Sequence, residues 1–226
     1  MNSEPNDARI IESWLQNAEP WTTAVRERQI ESRNLVTNAA VVEAILDRAP
    51  RLVLDVGCGE GWLARALHSH GIDVIGVDVV RELIERATSA GGGDFRLASY
   101  EDIARGTLDV HADVVVANFS LIGRESVDDL IASIPKLLAP HGSLVIQTLH
   151  PVTSTGDQPY RDGWREGSWT GFSNAFTNPA PWYFRRLETW VHLLTTRGFR
   201  IARLLEPLHP ISGKPASIIF VAEVAG

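Results

Sequence analysis

The chain has 226 residues, 44% hydrophobic and 22% charged, a balance that suits a folded globular protein and argues against an intrinsically disordered one. A formal charge of −7 with no dense Lys/Arg run disfavours an extended nucleic-acid or anionic-membrane surface. No apolar run approaches the ~20 residues of a membrane span, the opening MNSEPNDARI lacks a signal-peptide layout, and the single cysteine, Cys58, permits no intrachain disulfide, so a reducing, cytoplasmic setting is expected.

The first fifty residues read as helices. In NLVTNAAVVEAILDRAP the residues Leu35, Ala39, Val42, Leu46 and Ala49 recur with the period of one helix face, and Pro50 ends the run. Four apolar runs follow: RLVLDV, IDVIGVDVV, ADVVVANF and GSLVIQTL. Their Val, Ile and Leu content with little alternation predicts parallel strands covered on both faces. Helical stretches lie between them, at Trp62–His70, Arg81–Ala90 and Val127–Ala139. Ser126 and Asp129 stand at capping-box spacing before the third, and Pro135 is expected to kink it. The shorter DFRLA is a further strand candidate. This β–α alternation predicts a wound α/β sheet.

From about His150 to Tyr183 the rhythm breaks. The stretch is rich in Gly, Pro, Ser and Thr and carries a dense set of aromatics, among them Trp164, Trp169, Phe172, Phe176 and Trp182. A loop this long is usually functional or disordered, and the aromatics argue against disorder. A helix over RRLETWVHLLTTRG comes next. FRIARLLEP and ASIIFVAEV, joined by the turn-rich LHPISGKP, then read as an antiparallel hairpin. The expected organisation is one domain over 1–226: a helical cap (1–50), a ligand-binding core (51–149), the insertion (150–184), and a closing helix and hairpin (185–226).

In VLDVGCGEGWLARAL, Gly57, Gly59 and Gly61 stand between a strand and a helix. Such a turn aims free N–H groups and the positive end of a helix at a carboxylate or phosphate, and its missing side chains let a ligand lie on the backbone. Asp78 ends the next strand, VIGVD, where a carboxylate can accept hydrogen bonds from both ribose hydroxyls. The implied ligand is a nucleoside bearing an anionic group. The pattern GCGEG, led by Asp55, is G-x-G-x-G rather than the dinucleotide G-x-G-x-x-G, which disfavours a nicotinamide oxidoreductase.

LDVGCGEG, VIGVD, ADVVVANFSL, APHGSLVIQTLHP and RGFRIARLLEP together resemble the class I S-adenosylmethionine-dependent methyltransferases of small-molecule type, similar to those of ubiquinone biosynthesis, over roughly 51–225. The resemblance implies a Rossmann-like seven-stranded sheet with helices on both faces and its last strand antiparallel, a feature that the terminal hairpin suggests independently. It also implies S-adenosylmethionine as cofactor, S-adenosylhomocysteine as product, and methyl transfer to O, N or C of a small molecule. Gly57, Gly59 and Gly61 would lie under the methionyl and ribose portion, with Cys58 contributing small size and a backbone N–H. Asp55 would organise the loop and help hold the methionyl ammonium. Asp78 would bind the ribose and Val79 pack on adenine. Where the family often has an acid for the adenine amino group this chain has Ser99, so that contact falls to Ser99 and Tyr100, with Glu101 beside them. Asn118 and Phe119 would border the methionyl arm and the methyl group.

His150 ends the fifth strand on the ligand edge and is a candidate general base for an acceptor hydroxyl, against the alternative of a histidine hydrogen-bonded at a strand end. Glu206 and His209 in the hairpin could reach the same edge. No residues have zinc-ligand spacing, so no metal is expected. The insertion reads as a lid joined by Trp14 and Trp21, or else as an extra apolar layer. As a lid it implies an acceptor with an apolar or aromatic part. Arg161 and Arg165 would meet an acidic substituent of that acceptor or stand as solvated charges. The alternative outside catalysis is a nucleoside-binding module.

Overall fold

The computed structural model of the chain describes residues 4–225. Helices α1 (Asp7–Arg26) and α2 (Asn38–Leu46) precede β1 (Leu52–Val56). Then come α3 (Trp62–His68), β2 (Asp73–Asp78), α4 (Arg81–Ala90), β3 (Asp94–Leu97), α5 (Tyr100–Ala104), β4 (Ala112–Asn118), α6 (Glu125–Ser133) and β5 (Leu138–Thr148). The insertion contributes β6 (Gly163–Arg165) and β7 (Trp182–Phe184), and the chain closes with α7 (Leu187–Thr196), β8 (Phe199–Leu205) and β9 (Ile218–Val224).

Seven strands form one sheet in the order β3-β2-β1-β4-β5-β9-β8, parallel except for β9, which runs against both β5 and β8. Successive strand residues point to opposite faces, and each face meets its own apolar layer. Leu54, Val56, Val115, Ala117, Leu144 and Ile146 pack with residues of α6 and α7. Val53, Val114, Val116 and Val145 pack with residues of α2 and α3. Coverage on both sides is why these strands read as unbroken apolar runs.

Several local expectations are revised. The buried face of the second helical stretch is Thr37, Val41, Ala44 and Ile45, with Arg33 at its start, whereas Leu35, Ala39 and Ala49 are exposed. A π-helical turn at Arg33–Thr37 adds a residue to the helix repeat and rotates the face that α2 presents to the sheet. The box expected at Ser126 does not form, because α6 starts earlier, at Glu125; Asp7 instead accepts from the N–H groups of Arg124 and Ser126, both at 2.8 Å. The same Ser-x-x-Asp spacing does form a capping box at Ser99 and Asp102, opening α5, a helix the sequence reading passed over. Pro135 sits in a 3-10 turn (Ile134–Lys136) that ends α6 rather than kinking it, and β5 begins at once, at Leu138. The insertion is not a structureless loop: β6 and β7 pair antiparallel within it, and the Tyr183 N–H donates to the Ile122 carbonyl (2.8 Å).

Candidate active site

The turn after β1 is left-handed at all three glycines. Four of its N–H groups are already committed. Gly57 and Cys58 donate to the Val77 carbonyl (2.8 and 3.0 Å), Gly59 to Asp78 Oδ2 (2.9 Å) and Gly61 to the Cys58 carbonyl (3.1 Å). The amides of the three glycines are therefore not aimed at an anion: the loop leaving β1 hydrogen-bonds to the end of β2 and offers a bare surface, while α3 begins without a side-chain cap. A Cβ on Gly57 would stand 2.4 Å from Ser120 Cβ. Gly61 does not border the cavity as expected; it packs towards Phe95, where an added Cβ would come within 2.8 Å of the ring.

A cavity of about 470 Å³ opens above this loop at the C-terminal edge of the sheet. Gly57, Cys58, Gly59, Asp78 and Val79 form one wall. Ser99, Tyr100, Asn118 and Phe119, from the ends of β3 and β4, form the next. Asp78 is held by Gly59 and by the Val80 N–H to Oδ1 (2.9 Å), which leaves a lone pair on each oxygen for a further donor. Burial pushes its pKa up and those backbone N–H groups pull it down. Asp55 lies buried behind the wall; burial first, and the charge of Asp78 second, push it up to about 7, against the pull of Arg33. Cys58 is buried and its thiol is pushed up by burial, so it is a structural residue rather than a nucleophile. Ser99 spends its hydroxyl in the capping box, donating to Asp102 Oδ2 at 2.8 Å. Tyr100 Oη donates to the Ser120 carbonyl (3.0 Å), and burial raises its pKa. Phe119 has φ 54°, a left-handed conformation costly for a non-glycine residue, fixed by its N–H to the Gln147 carbonyl (2.8 Å).

Three buried polar atoms on the cavity-lining residues have no partner within the protein: Arg33 Nη2, Thr37 Oγ1 and Asn118 Oδ1. Such atoms call for hydrogen-bonding groups from a ligand. One is a cationic donor and one an acceptor, which suits the carboxylate and ammonium of an amino-acid moiety. Arg33 stacks over Trp62 (4.8 Å) and Trp21 (5.4 Å), and burial lowers its pKa to about 10 against Glu60 and Asp55. The sequence reading did not single out Arg33; its signal is a charged residue on the buried face of an apolar helical stretch. Glu60 in turn is buried under Arg26 and Arg65, with contacts of 2.8 and 2.7 Å.

The far side of the cavity is mainly apolar, with Asp7 and Ser126 at its edge. Ile10, Ile11 and Trp14 come from α1, Phe172 from the insertion, and Ile122 and Leu149 from the loops after β4 and β5. His150 is not part of that wall. It is 4% exposed, its Nε2 lies 2.7 Å from Glu206 Oε1, its Nδ1 has no partner within the protein, and it is absent from the wall that Thr148 and Leu149 line. The assignment of His150 as catalytic base is corrected on this ground, and Glu206 is its hydrogen-bond partner. His209 Nδ1 accepts from the Ile211 and Ser212 N–H groups in the hairpin turn. Arg165 meets no ligand side: it is buried, bonds the carbonyls of Ser154, Thr155 and Pro159, and lies 3.6 Å over the Phe184 ring. Among the described residues no group of three His, Cys, Asp or Glu has the arrangement of a metal site, and no helix is long and apolar enough to cross a membrane.

A doubly wound sheet with a bare glycine turn, a carboxylate at the end of the adjacent strand and unpartnered groups for an amino acid defines a protein that binds a nucleoside cofactor with an amino-acid arm. A family model described as a methyltransferase domain matches residues 27–204. The chain belongs to the class I S-adenosylmethionine-dependent methyltransferases, and its cofactor is S-adenosylmethionine. The tRNA U34 carboxymethyltransferase of Methylococcus capsulatus is 32% identical over 213 residues, 88% of this chain and 61% of that protein. A ubiquinone biosynthesis O-methyltransferase of Xanthomonas oryzae is 34% identical over 120 residues, 48% of this chain and 47% of that one. The chain thus spans about half to three-fifths of the length of these relatives. Magnesium protoporphyrin IX methyltransferase from Synechocystis, solved with bound SAH, superposes with a TM-score of 0.67 at 19% identity, covering 97% of this chain and 100% of that one, a likeness of fold.

Proposed function

We propose that the protein moves the methyl group of S-adenosylmethionine to O, N or C of a small molecule whose body is apolar or aromatic. The observation that carries this reading is one continuous cavity with two unlike sides: glycine turn, Asp78 and unpartnered polar atoms on one, and Ile10, Ile11, Trp14 and Phe172 on the other. The cofactor supplies an activated methyl group on a sulfonium. Asp78 takes the ribose hydroxyls and Val79 the adenine face. Gly57 and Gly59 let the methionyl arm lie against the backbone. Arg33 Nη2 takes its carboxylate, and Asn118 Oδ1 its ammonium, with Asp55 supplying negative charge from behind. Phe119 and Ile122 border the transfer path. Alignment and exclusion of water are the protein's main contributions to such a reaction. The mainly apolar side supplies both, since the Asp7 carboxylate on it is already held by the Arg124 and Ser126 N–H groups.

The test is direct. S-adenosylhomocysteine should raise the melting temperature, because a ligand of the folded state alone stabilises it, while NAD and NADP should not. Incubation of the protein and S-adenosylmethionine with a library of apolar acids, phenols and amines should release S-adenosylhomocysteine with at least one acceptor. A melting shift with NAD alone would sink the reading.

A further inference from the structure

The roof of the cavity is built from two pieces far apart in sequence, α1 and the insertion, and they meet through buried polar groups. Asn17 is fully buried at 0% exposure, and its amide is satisfied on both sides. Its Nδ2 donates to the Thr177 carbonyl (2.7 Å) and the Ser13 carbonyl (2.8 Å), while Oδ1 accepts from the Thr177 N–H (2.9 Å). The side chain thus grips the Thr177 backbone as a neighbouring strand would. One turn earlier Ser13, also at 0% exposure, donates from Oγ to the Asn178 carbonyl (2.6 Å). Trp169 adds its own Nε1–H to the Thr177 carbonyl (2.9 Å) and meets the Trp14 ring edge-on at 5.9 Å. Trp14 and Phe172 carry this joined surface into the cavity.

The same helix reaches the glycine turn. Trp21, one turn beyond Asn17, lies over Gly59, with Nε1 3.6 Å from where a Cβ would be. Arg26 Nε donates to Oε2 of Glu60 in that turn (2.8 Å). We infer that Asn17, seconded by Ser13, is a positioning residue of the acceptor site: it locks α1 to the insertion as a single roof whose seating is set by the cofactor through Trp21. The inference rests on the methyltransferase reading of the cavity. A cofactor lying on Gly57 and Gly59 touches Trp21, and α1, helical from Asp7 to Arg26 with Pro20 between Asn17 and Trp21, carries that contact to Thr177 and Phe172. Buried, fully satisfied polar networks hold one arrangement and resist intermediate ones, which suits such a link. Occupancy of the two sites is therefore mutually reinforcing, since coupling between sites is reciprocal.

Amide hydrogen exchange of the full chain, with and without saturating S-adenosylhomocysteine, tests this before any acceptor is known. In the wild type, exchange in residues 166–180 should slow by about tenfold or more when the ligand binds, as local opening is suppressed. In Asn17→Ala the ligand should still bind within about threefold of wild type by calorimetry, yet protection of 166–180 should no longer depend on it. Ser13→Ala removes the bond to Asn178 and the long 3.4 Å contact from Asn17 Nδ2, keeps the grip of Asn17 on Thr177, and covers the case in which Asn17→Ala does not fold; it should lose about half of the ligand-induced protection. Ligand binding without added protection in the wild type, or with equal protection in the variants, would overturn the inference and leave the methyltransferase reading standing. Absence of S-adenosylhomocysteine binding to the wild type would overturn that reading, and this inference with it.

Discussion

The side of the cavity proposed for the cofactor is assembled mainly from the ends of adjacent strands, with Arg33 added from the turn before α2, while the side proposed for the acceptor joins α1 to an insertion some 160 residues away. On the first side the demands are polar and local. Glycines clear space, Asp78 is held by two backbone N–H groups, and Asn118 leaves an acceptor unpartnered. On the second the demands are steric and long-range: aromatic rings from α1 and the insertion stack edge to face, and buried side chains grip remote backbone. A chemistry shared by a family needs a constant cofactor site, whereas an acceptor site is free to be rebuilt by whatever segments reach the same sheet edge.

The strongest way to break this division is at the glycine turn. Gly57→Ala places a methyl 2.4 Å from Ser120 Cβ and imposes a left-handed φ on alanine, a strain of about 1–2 kcal/mol before any displacement of Ser120. Affinity for S-adenosylhomocysteine, measured by calorimetry, should fall by more than about a hundredfold. Asp78→Ala comes next. Losing a charged acceptor for the ribose should weaken binding by about ten- to a hundredfold, or ~1.5–3 kcal/mol, with the fold retained by circular dichroism. Unchanged affinity in a folded Asp78→Ala protein would end the ribose assignment.

These two residues were also the most legible in the sequence, because their roles depend on a strand, a turn and the next strand, all encoded within one short stretch. The sheet was legible for the same reason: Leu52–Val56, Asp73–Asp78 and Ala112–Asn118 are apolar on both faces, and the terminal hairpin announced its antiparallel strand. Local pattern failed where a distant residue supplied the partner. Ser126 lost its capping role to Asp7, which contacts the start of α6 from the other end of the chain segment, while Ser99, with the same spacing and no such competitor, kept its own. Arg33 was missed because a π-turn set its direction, and His150 was overvalued because the strand end gave its position but not its partner, Glu206, nor its absence from the cavity wall.

The electrostatics of the cofactor side give a pH signature that the acceptor side lacks. Burial and the charge of Asp78 raise Asp55 to about 7, so in the free protein it takes up its proton as pH falls through neutrality. The folded-state pKa lies above that of the unfolded chain. The stability linked to this group is therefore fully present below about pH 4 and is lost as pH rises through about 7. A ligand ammonium beside Asp55 favours the carboxylate and expels the proton, so affinity for S-adenosylhomocysteine should rise with pH below 7, by at most about tenfold per unit, and level off above. Asp55→Asn should flatten that profile in calorimetric titrations between pH 6 and 8. An unaltered slope in the variant would place the titrating group elsewhere.

Phe172→Ala acts on the opposite side. Its ring lines the cavity and packs on Trp169 (5.4 Å) and Phe176 (5.1 Å), so removing it should leave cofactor affinity within about threefold while lowering turnover by about tenfold through poorer alignment and water exclusion. Trp164, paired with Tyr183 at 5.6 Å on the β6–β7 hairpin and outside the cavity wall, is the control whose truncation should leave turnover unchanged. Loss of cofactor binding in Phe172→Ala equal to that in Asp78→Ala would erase the distinction between the two sides.

Apart from the Trp164 control, the smallest effect on chemistry belongs to His150. Its ring is buried against Glu206, and at this strand end Thr148 and Leu149 line the cavity while His150 does not. His150→Ala should therefore keep turnover within about twofold of wild type on the first acceptor that the library yields. Its cost should appear in stability, because a buried hydrogen bond is removed and the cavity it leaves is not refilled, about 1–3 kcal/mol by urea titration. Glu206→Gln should reproduce a smaller part of that loss, since its side chain is half exposed and a neutral amide can still pair with the ring. The pairing also sets the sign of a second readout. If the ring served as a base, turnover in the wild type would follow its titration and His150→Ala would remove that limb of the pH profile. With the ring outside the cavity, wild type and His150→Ala should share one profile. A fall in turnover of a hundredfold, with the profile changed, would return the histidine to the chemistry and show that the strand end rotates when the acceptor binds.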